Sequence, residues 1–477
     1  MTTEAMAATV SDDEIVMRAS SLPDLDGYPT VDELLERVEA LRAEFPDLVS
    51  ARRMGTSRLG EPIMQYTVGE SADADDRRTR CLVVGGIHPN EPIGSHTVIR
   101  LLDDLLRDGS LRERLGAVWH VIPCIDPDSM RLNEGWFDEP FDGETYFRNF
   151  YRPPGHEQVE WTFPIDYKKK YFDATLPETQ ALQRAIDEVR PDLYIPLHNS
   201  ETGGAYYYLS PSARDLAPLL HRLPAALGIP LHLGEPEASH FSELAPAVFA
   251  AGTSEDVYEW RVQNDLDPAP PGAAGQSSTS YANRYGTVSL IAELPIWRTF
   301  GADDTRPSGR NYADLLRDAG EALIETGTHL SAVLERIRPS LTIDSPFLRS
   351  AEAFVPGMTR AGQHMVERAQ EAGNDRIARV AERPMSVVWM YRLRFGGALL
   401  RALRAEVAAG SAPVPVRRAA ADLDQSWSGW LAQREAEERP EGIPVTDVVG
   451  VQYGAVLGLV AHHAGRDRIR THQEEES

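Results

Sequence analysis

His88 and Glu91 stand three residues apart in GGIHPNEPIG (85–94), where the short apolar run CLVVGGI ends. On a helix or tight turn, positions i and i+3 face the same way, about 5–6 Å apart between Cβ atoms. An imidazole and a carboxylate at that spacing can close on one ion. His198 is the first polar side chain after a second apolar run, LYIPL, and precedes Asn199-Ser200. Two histidines and one glutamate, with a fourth position left for water, are the donor set of a hydrolytic zinc site. Such a site needs a base to take the proton of that water. Glu293 follows a third run, TVSLIA, and precedes Leu294-Pro295. Spacing alone leaves two readings of Glu293 open, a base or a strand-end surface carboxylate.

The elements that must hold these residues follow from periodicity. Residues 81–87, 117–123, 193–197 and 287–292 are short apolar runs bounded by turn residues, the pattern of buried strands. Between them, 92–107 and 178–190 carry apolar residues at helical spacing. Thr30 and Glu33 read as a capping box ahead of a helix with Val31, Leu34, Val38 and Leu41 on one face. Alternating strands and helices predict an α/β fold over 25–302, with a mixed, largely parallel central sheet flanked by helices. In such sheets ligands bind beyond the carboxyl ends of the strands, where His88, His198 and Glu293 all fall. After about 308 the strand signals stop. Segments 309–337, 346–372, 385–409, 415–437 and 444–464 read as helices, so 303–466 is expected to be an all-α C-terminal domain of four to six helices. Residues 1–24 read as a loose acidic tail and 467–477 as a charged one.

The chain resembles the zinc metallocarboxypeptidase family over about 30–300. The resemblance is carried by GTSRLGEPIMQYTVG, GGIHPNE, IPCIDPDSMRLNEGW, PLHNSETGG and SLIAELP, in that order. It implies the carboxypeptidase-like fold and one zinc ion per chain, held by His88, Glu91 and His198, with Glu293 as the catalytic carboxylate. It further implies an arginine that stabilises the oxyanion, for which Arg131 after the Asp-Pro-Asp turn is the candidate. Arg148 and Asn149 in FRNFYRP match the family's grip on the substrate's terminal carboxylate, with Arg152 as a rival in the same segment. The usual Asn-Arg-Asn is here Phe147-Arg148-Asn149. Tyr281 is the candidate for a tyrosine that closes over substrate, and Tyr258 also qualifies.

The expected activity is hydrolysis of a C-terminal peptide bond. The aspartoacylase and succinylglutamate desuccinylase relatives share the framework, so a small N-acyl amino acid is the alternative substrate. A non-catalytic binding relative is the third reading. The net charge of −25 repels phosphate backbones and argues against nucleic acid. Two cysteines, Cys81 and Cys124, are too few for a disulfide framework or a thiolate zinc site, and read as reduced core thiols. No stretch reads as the roughly 18 consecutive apolar residues of a membrane span. The N-terminus lacks a signal-peptide pattern, so a cytoplasmic location is expected. The aromatic, aperiodic segment 135–173 has the length of a functional lid.

Overall fold

The capping box at Thr30 is formed in the computed structural model, which describes residues 9–69, 78–238, 240–270 and 274–475, with side chains up to 465. Glu33 N donates to Thr30 Oγ1 at 3.3 Å and Thr30 N to Glu33 Oε2 at 2.9 Å. These bonds satisfy donors that the first turn of a helix otherwise leaves bare. An earlier helix departs from the expected loose tail. α1 (Asp12–Ala19) is capped by Ser11, pairs Glu14 with Arg114 at 2.6 Å and buries Ile15 and Ala19. Its two buried apolar residues are four apart, too few for periodicity to reveal. Residues 1–8 of that tail lie outside the described residues.

The central sheet contains β1 (Val49–Thr56), β2 (Pro62–Val68), β3 (Thr79–Val84), β4 (Ala117–Ile122), β5 (Leu193–Pro196), β6 (Tyr206–Leu209), β7 (Glu243–Ala245), β8 (Val248–Ala250) and β9 (Val288–Glu293). The order is β1-β2-β4-β3-β5-β9-β6-β8-β7. The four central strands β4, β3, β5 and β9 are parallel, and antiparallel pairings flank them on both sides. The strands β1, β6, β7 and β8 come from segments with weak alternation.

Each central strand is apolar on both faces, as a sheet covered on both sides requires. On one face Leu82, Val84 and Tyr194 pack with Leu182 and Ile186 of α4 (Pro177–Val189). On the other, Cys81, Val83, Leu193 and Ile195 join the core of α2 (Val31–Glu44) and α3 (Ile93–Arg107). Both cysteines are buried and free.

The C-terminal region is helical: α6 (Tyr312–Ile337), α7 (Pro346–Arg368), α8 (Pro384–Ala408), α9 (Val414–Glu438) and α10 (Val445–Glu475), after α5 (Ala217–Ala226) of the sheet region. α6 to α9 pack on one another. α10 does not stay with them. It lies against α1, α3 and α5, and its Val448, Val451, Val456 and Leu459 join the core of the sheet region. The helical segment is therefore not one separate body: its last helix belongs to the α/β layer. Val445–Gly465 has the length and mean hydropathy, 1.3, of a membrane-crossing helix, and 78% of that window is buried inside the protein. That burial is the position of a core helix. The helix runs on to Glu475, through most of the expected charged tail.

Candidate metal centre

β3, β5 and β9 are neighbours and parallel, so their carboxyl ends lie side by side. His88 lies four residues beyond β3, His198 two beyond β5, and Glu293 is the last residue of β9. Side chains 95 or more residues apart thus meet at one edge of the sheet. Gly86 makes the turn after β3 possible. Its φ is +63°, and a Cβ there would lie 2.8 Å from Cys124 Sγ.

The ligand atoms of His88, Glu91 and His198 lie within 4.8 Å of one another, and all three residues are buried. His198 Nδ1 is 3.0 Å from Glu91 Oε2, and the two imidazole centroids are 4.8 Å apart. His88 Nδ1 and His198 Nε2 are buried without a hydrogen-bond partner among the described residues. Buried polar atoms are seldom left orphaned. A nitrogen–oxygen donor set with an orphaned imidazole nitrogen fits a zinc ion.

The protonation states follow from burial and charge. Burial, then the positive charge of Arg152, hold His88 well below its usual range, so it is neutral and ready to donate a lone pair. Burial pushes Glu91 up, but His88, His198 and Arg152 outweigh it and keep it ionised. Burial also disfavours charged His198, yet the hydrogen bond and charge of Glu91 raise it to about 9. A metal entering at neutral pH must displace that proton. Glu293 is 8% exposed, with Oε1 3.8 Å from His198 Nδ1. Burial, then the Glu91 carboxylate, push Glu293 well above the carboxylate range. A cation held by Glu91 would reverse the second contribution.

These residues open into a cleft of about 820 Å³. Arg152 is its nearest cation. Arg152 Nη1 donates to Glu91 Oε1 at 2.8 Å and Asn90 Oδ1 at 3.2 Å, and Nε donates to Gln158 Oε1 at 3.2 Å. The helical region fixes its backbone: Ser350 of α7 donates to the carbonyl of Arg152 at 2.7 Å. Arg401 of α8 donates to the carbonyls of Asn149 and Phe150 at 2.6 and 3.0 Å. The same region walls the cleft with Met365, Arg368, Arg383, Met390 and Arg394. Arg394 is paired with Glu201 at 2.9 Å.

Four residues singled out from sequence lie elsewhere. Arg131 pairs with Asp32 at 2.7 Å and Glu61 at 3.2 Å, because the Asp-Pro-Asp turn aims it at α2. Arg148 lies on the short helix Gly143–Asn149 and faces α9, bonding Asp424 at 2.9 Å over the Trp427 ring. Asn149 donates to the carbonyl of Thr145 at 2.9 Å within that helix. Tyr281 is buried against Phe163 and donates to Asp187 at 2.9 Å. None of the four lines the cleft. Tyr258, the other tyrosine candidate, packs edge-on against Tyr167. Segment 135–173 does reach the cleft, through Arg152, Glu160, Trp161 and Lys170. Among these, only Arg152 was marked by sequence, as a rival to Arg148.

One buried contact ties α10 to the centre. Gln452 Nε2 donates to the carbonyl of His198 at 2.6 Å, and its Oε1 accepts from Thr97 at 2.7 Å. Gln452→Leu leaves the His198 carbonyl without that donor. We expect a loss of about 1–3 kcal/mol of stability, read as a lower urea midpoint with an unchanged slope. An unshifted midpoint would show that the contact carries no stability.

Residues 34–245 match the sequence profile of the family described as zinc carboxypeptidase. Glu293 lies beyond that match. No curated protein matches the chain. Among solved structures, a metallo-carboxypeptidase from Burkholderia cenocepacia aligns at 13% identity over 56% of this chain and 60% of its own, with a TM-score of 0.37. Carboxypeptidase A from Helicoverpa armigera aligns at 14% identity over 75% of this chain and 79% of its own, with a TM-score of 0.38. This chain thus spans about 60% of the length of the Burkholderia protein. The likeness to the zinc carboxypeptidase family is thus carried by residues 34–245, under half of the chain.

Proposed function

We propose that the chain is a zinc-dependent hydrolase that cleaves the last peptide bond of a substrate with a free C-terminal carboxylate. The observation that carries this reading is the cluster of His88, Glu91 and His198 sharing one cleft with Glu293. Zinc, when bound by those three residues, polarises a carbonyl and acidifies water. Glu293 Oε1 takes the proton of the attacking water and passes it to the leaving nitrogen. Arg152, rather than Arg131, donates to the oxygen on which negative charge develops. Its Nη1 already sits 2.8 Å from a ligand carboxylate. The terminal carboxylate needs a cation inside the cleft, and Arg148 is committed to Asp424. Lys170 and Arg383 are the cleft cations without a carboxylate partner among the described residues. The helical region closes part of the cleft wall with Met365, Arg368 and Met390, which favours short peptides.

The test is a substrate panel on the zinc-loaded protein. It contains N-blocked dipeptides with a free carboxyl end, the same dipeptides amidated there, and N-acetyl and N-succinyl amino acids. The free dipeptides should be cleaved, and amidation should slow them roughly 10²-fold through loss of the charge-assisted contact. Turnover of the N-acyl amino acids alone would replace the peptidase reading with that of a deacylase.

A further inference from the structure

Six glutamates line the cleft, and four of them stand beside a cationic side chain of the protein. Glu91 has Arg152 and His198. Glu201 has Arg394 and Glu235 has Arg368. Glu237 accepts from the hydroxyls of Tyr206 and Tyr208. Glu293 is beside His198. Glu160 is left with a single hydroxyl. It is 2% exposed, and its side-chain partner is the hydroxyl of Ser278, at 2.5 Å. Among the described residues no cation pairs with it. Burial pushes its carboxyl up to about 7, against His198 and the Ser278 hydrogen bonds. A buried carboxylate without a counter-charge is costly, and a fold keeps one where a ligand completes it.

Glu160 is also held in place. It lies on the single turn Val159–Trp161, and the next residues bridge to the strand entering the Ser277 turn: Gln276 N donates to Phe163 O at 3.0 Å and Phe163 N to Gln276 O at 3.3 Å. Gly275 permits this approach, since a Cβ there would lie 2.1 Å from Phe163 O. Ser277 caps the short helix Ser278–Ala282, so Ser278 presents its hydroxyl to Glu160 from a fixed turn. Ser277 and Thr279 of that turn also line the cleft and add polar groups to it.

We infer that Glu160 is the specificity-determining residue of this cleft and receives an ammonium or guanidinium group of the substrate, so that a lysine or arginine side chain is the preferred terminal residue. The inference rests on the hydrolase reading for what it calls terminal, but the recognition itself is a binding property. A guanidinium matches a carboxylate with two parallel hydrogen bonds, and its charge supplies what Glu160 lacks. Ser278 remains as the second partner and keeps the carboxylate oriented.

The test compares a peptide ending in arginine with the same peptide ending in citrulline, which has nearly the same shape without the charge. Binding to the zinc-loaded full chain is measured by calorimetry, and cleavage by product release. The arginine peptide should bind and react roughly 10- to 100-fold better. Glu160→Gln should bring both ratios near one, and Glu160→Asp should keep a reduced preference. Thermal melts of each variant identify any that does not fold, and the wild-type ratio alone then decides. Cleavage without an arginine preference, or a preference that survives Glu160→Gln, overturns the inference and leaves the hydrolase reading intact. Preferential binding of the arginine peptide with no cleavage of any peptide overturns the hydrolase reading and sustains the inference.

Discussion

Glu293→Gln should leave zinc at one ion per chain and lower turnover by roughly 10²- to 10⁴-fold, the range for loss of a positioned base. The substitution keeps the side chain's shape, and Glu293 stands outside the His88, Glu91 and His198 cluster, with Oε1 3.8 Å from His198 Nδ1. Metal analysis of the purified variant therefore separates the two roles. Zinc retained with turnover lost assigns Glu293 to proton transfer. Zinc lost assigns it to metal binding, and full activity removes it from the mechanism. The neutral amide also matches the protonated carboxyl that burial, and then the Glu91 charge, favour at this position. The variant is thus expected to be no less stable than the parent.

The cluster of His88, Glu91 and His198 was legible because a parallel sheet makes it so. Three apolar runs, each followed by one polar residue, are readable as strands, and strand ends share an edge. His88 and His198 fall where that rule puts them, and Glu91 rides on the turn after His88; Glu293 falls there too, but only the family resemblance separated it from a surface carboxylate. The arginines were not legible for the same reason reversed. Arg148 and Arg152 are four apart in an aperiodic segment, and a helix ending at Asn149 turns one toward α9 and the other toward the metal centre. Residue type and order cannot separate them. Only the direction of the helix end can. The motif around Arg131 misled differently. The segment Ser57–Leu59 docks on the Asp-Pro-Asp turn, with Ser57 Oγ and Leu59 N both 2.8 Å from the Asp128 carboxylate. That docking consumes the turn's polar groups and leaves Arg131 facing Asp32.

The helical region illustrates a second limit. Its helices were readable one by one, since each carries a long apolar stripe, but their partners were not. α10 is apolar nearly all round, which signals burial without saying against what. In the fold it supports the His198 carbonyl from below through Gln452, while α7 and α8 hold the Arg152 segment from the other side. The centre is therefore braced by chain segments more than 150 residues downstream of the ligands, and it is expected to need the full chain.

That bracing gives the second large effect its logic. Arg152→Ala should lower turnover roughly 10²- to 10³-fold with zinc retained, the usual consequence of removing one oxyanion donor, about 2.7–4 kcal/mol. Arg131→Ala and Arg148→Ala should stay within a few-fold of the parent, because their partners Asp32, Glu61 and Asp424 lie outside the cleft. Arg152→Lys should fall between, since it keeps the charge but loses the planar fork that reaches Asn90, Glu91 and Gln158 together. Glu91 loses a partner in the alanine variant but keeps His198, so zinc content must be measured alongside rate. If Arg131→Ala proves the more damaging, the oxyanion donor sits with the Asp-Pro-Asp turn after all, and α2 must move away from it when substrate binds. A rate loss in Arg152→Ala that disappears when zinc is supplied in excess would make Arg152 a support for Glu91 alone. A loss that persists at full zinc occupancy, expressed in kcat rather than KM, is the signature of a contact made in the transition state.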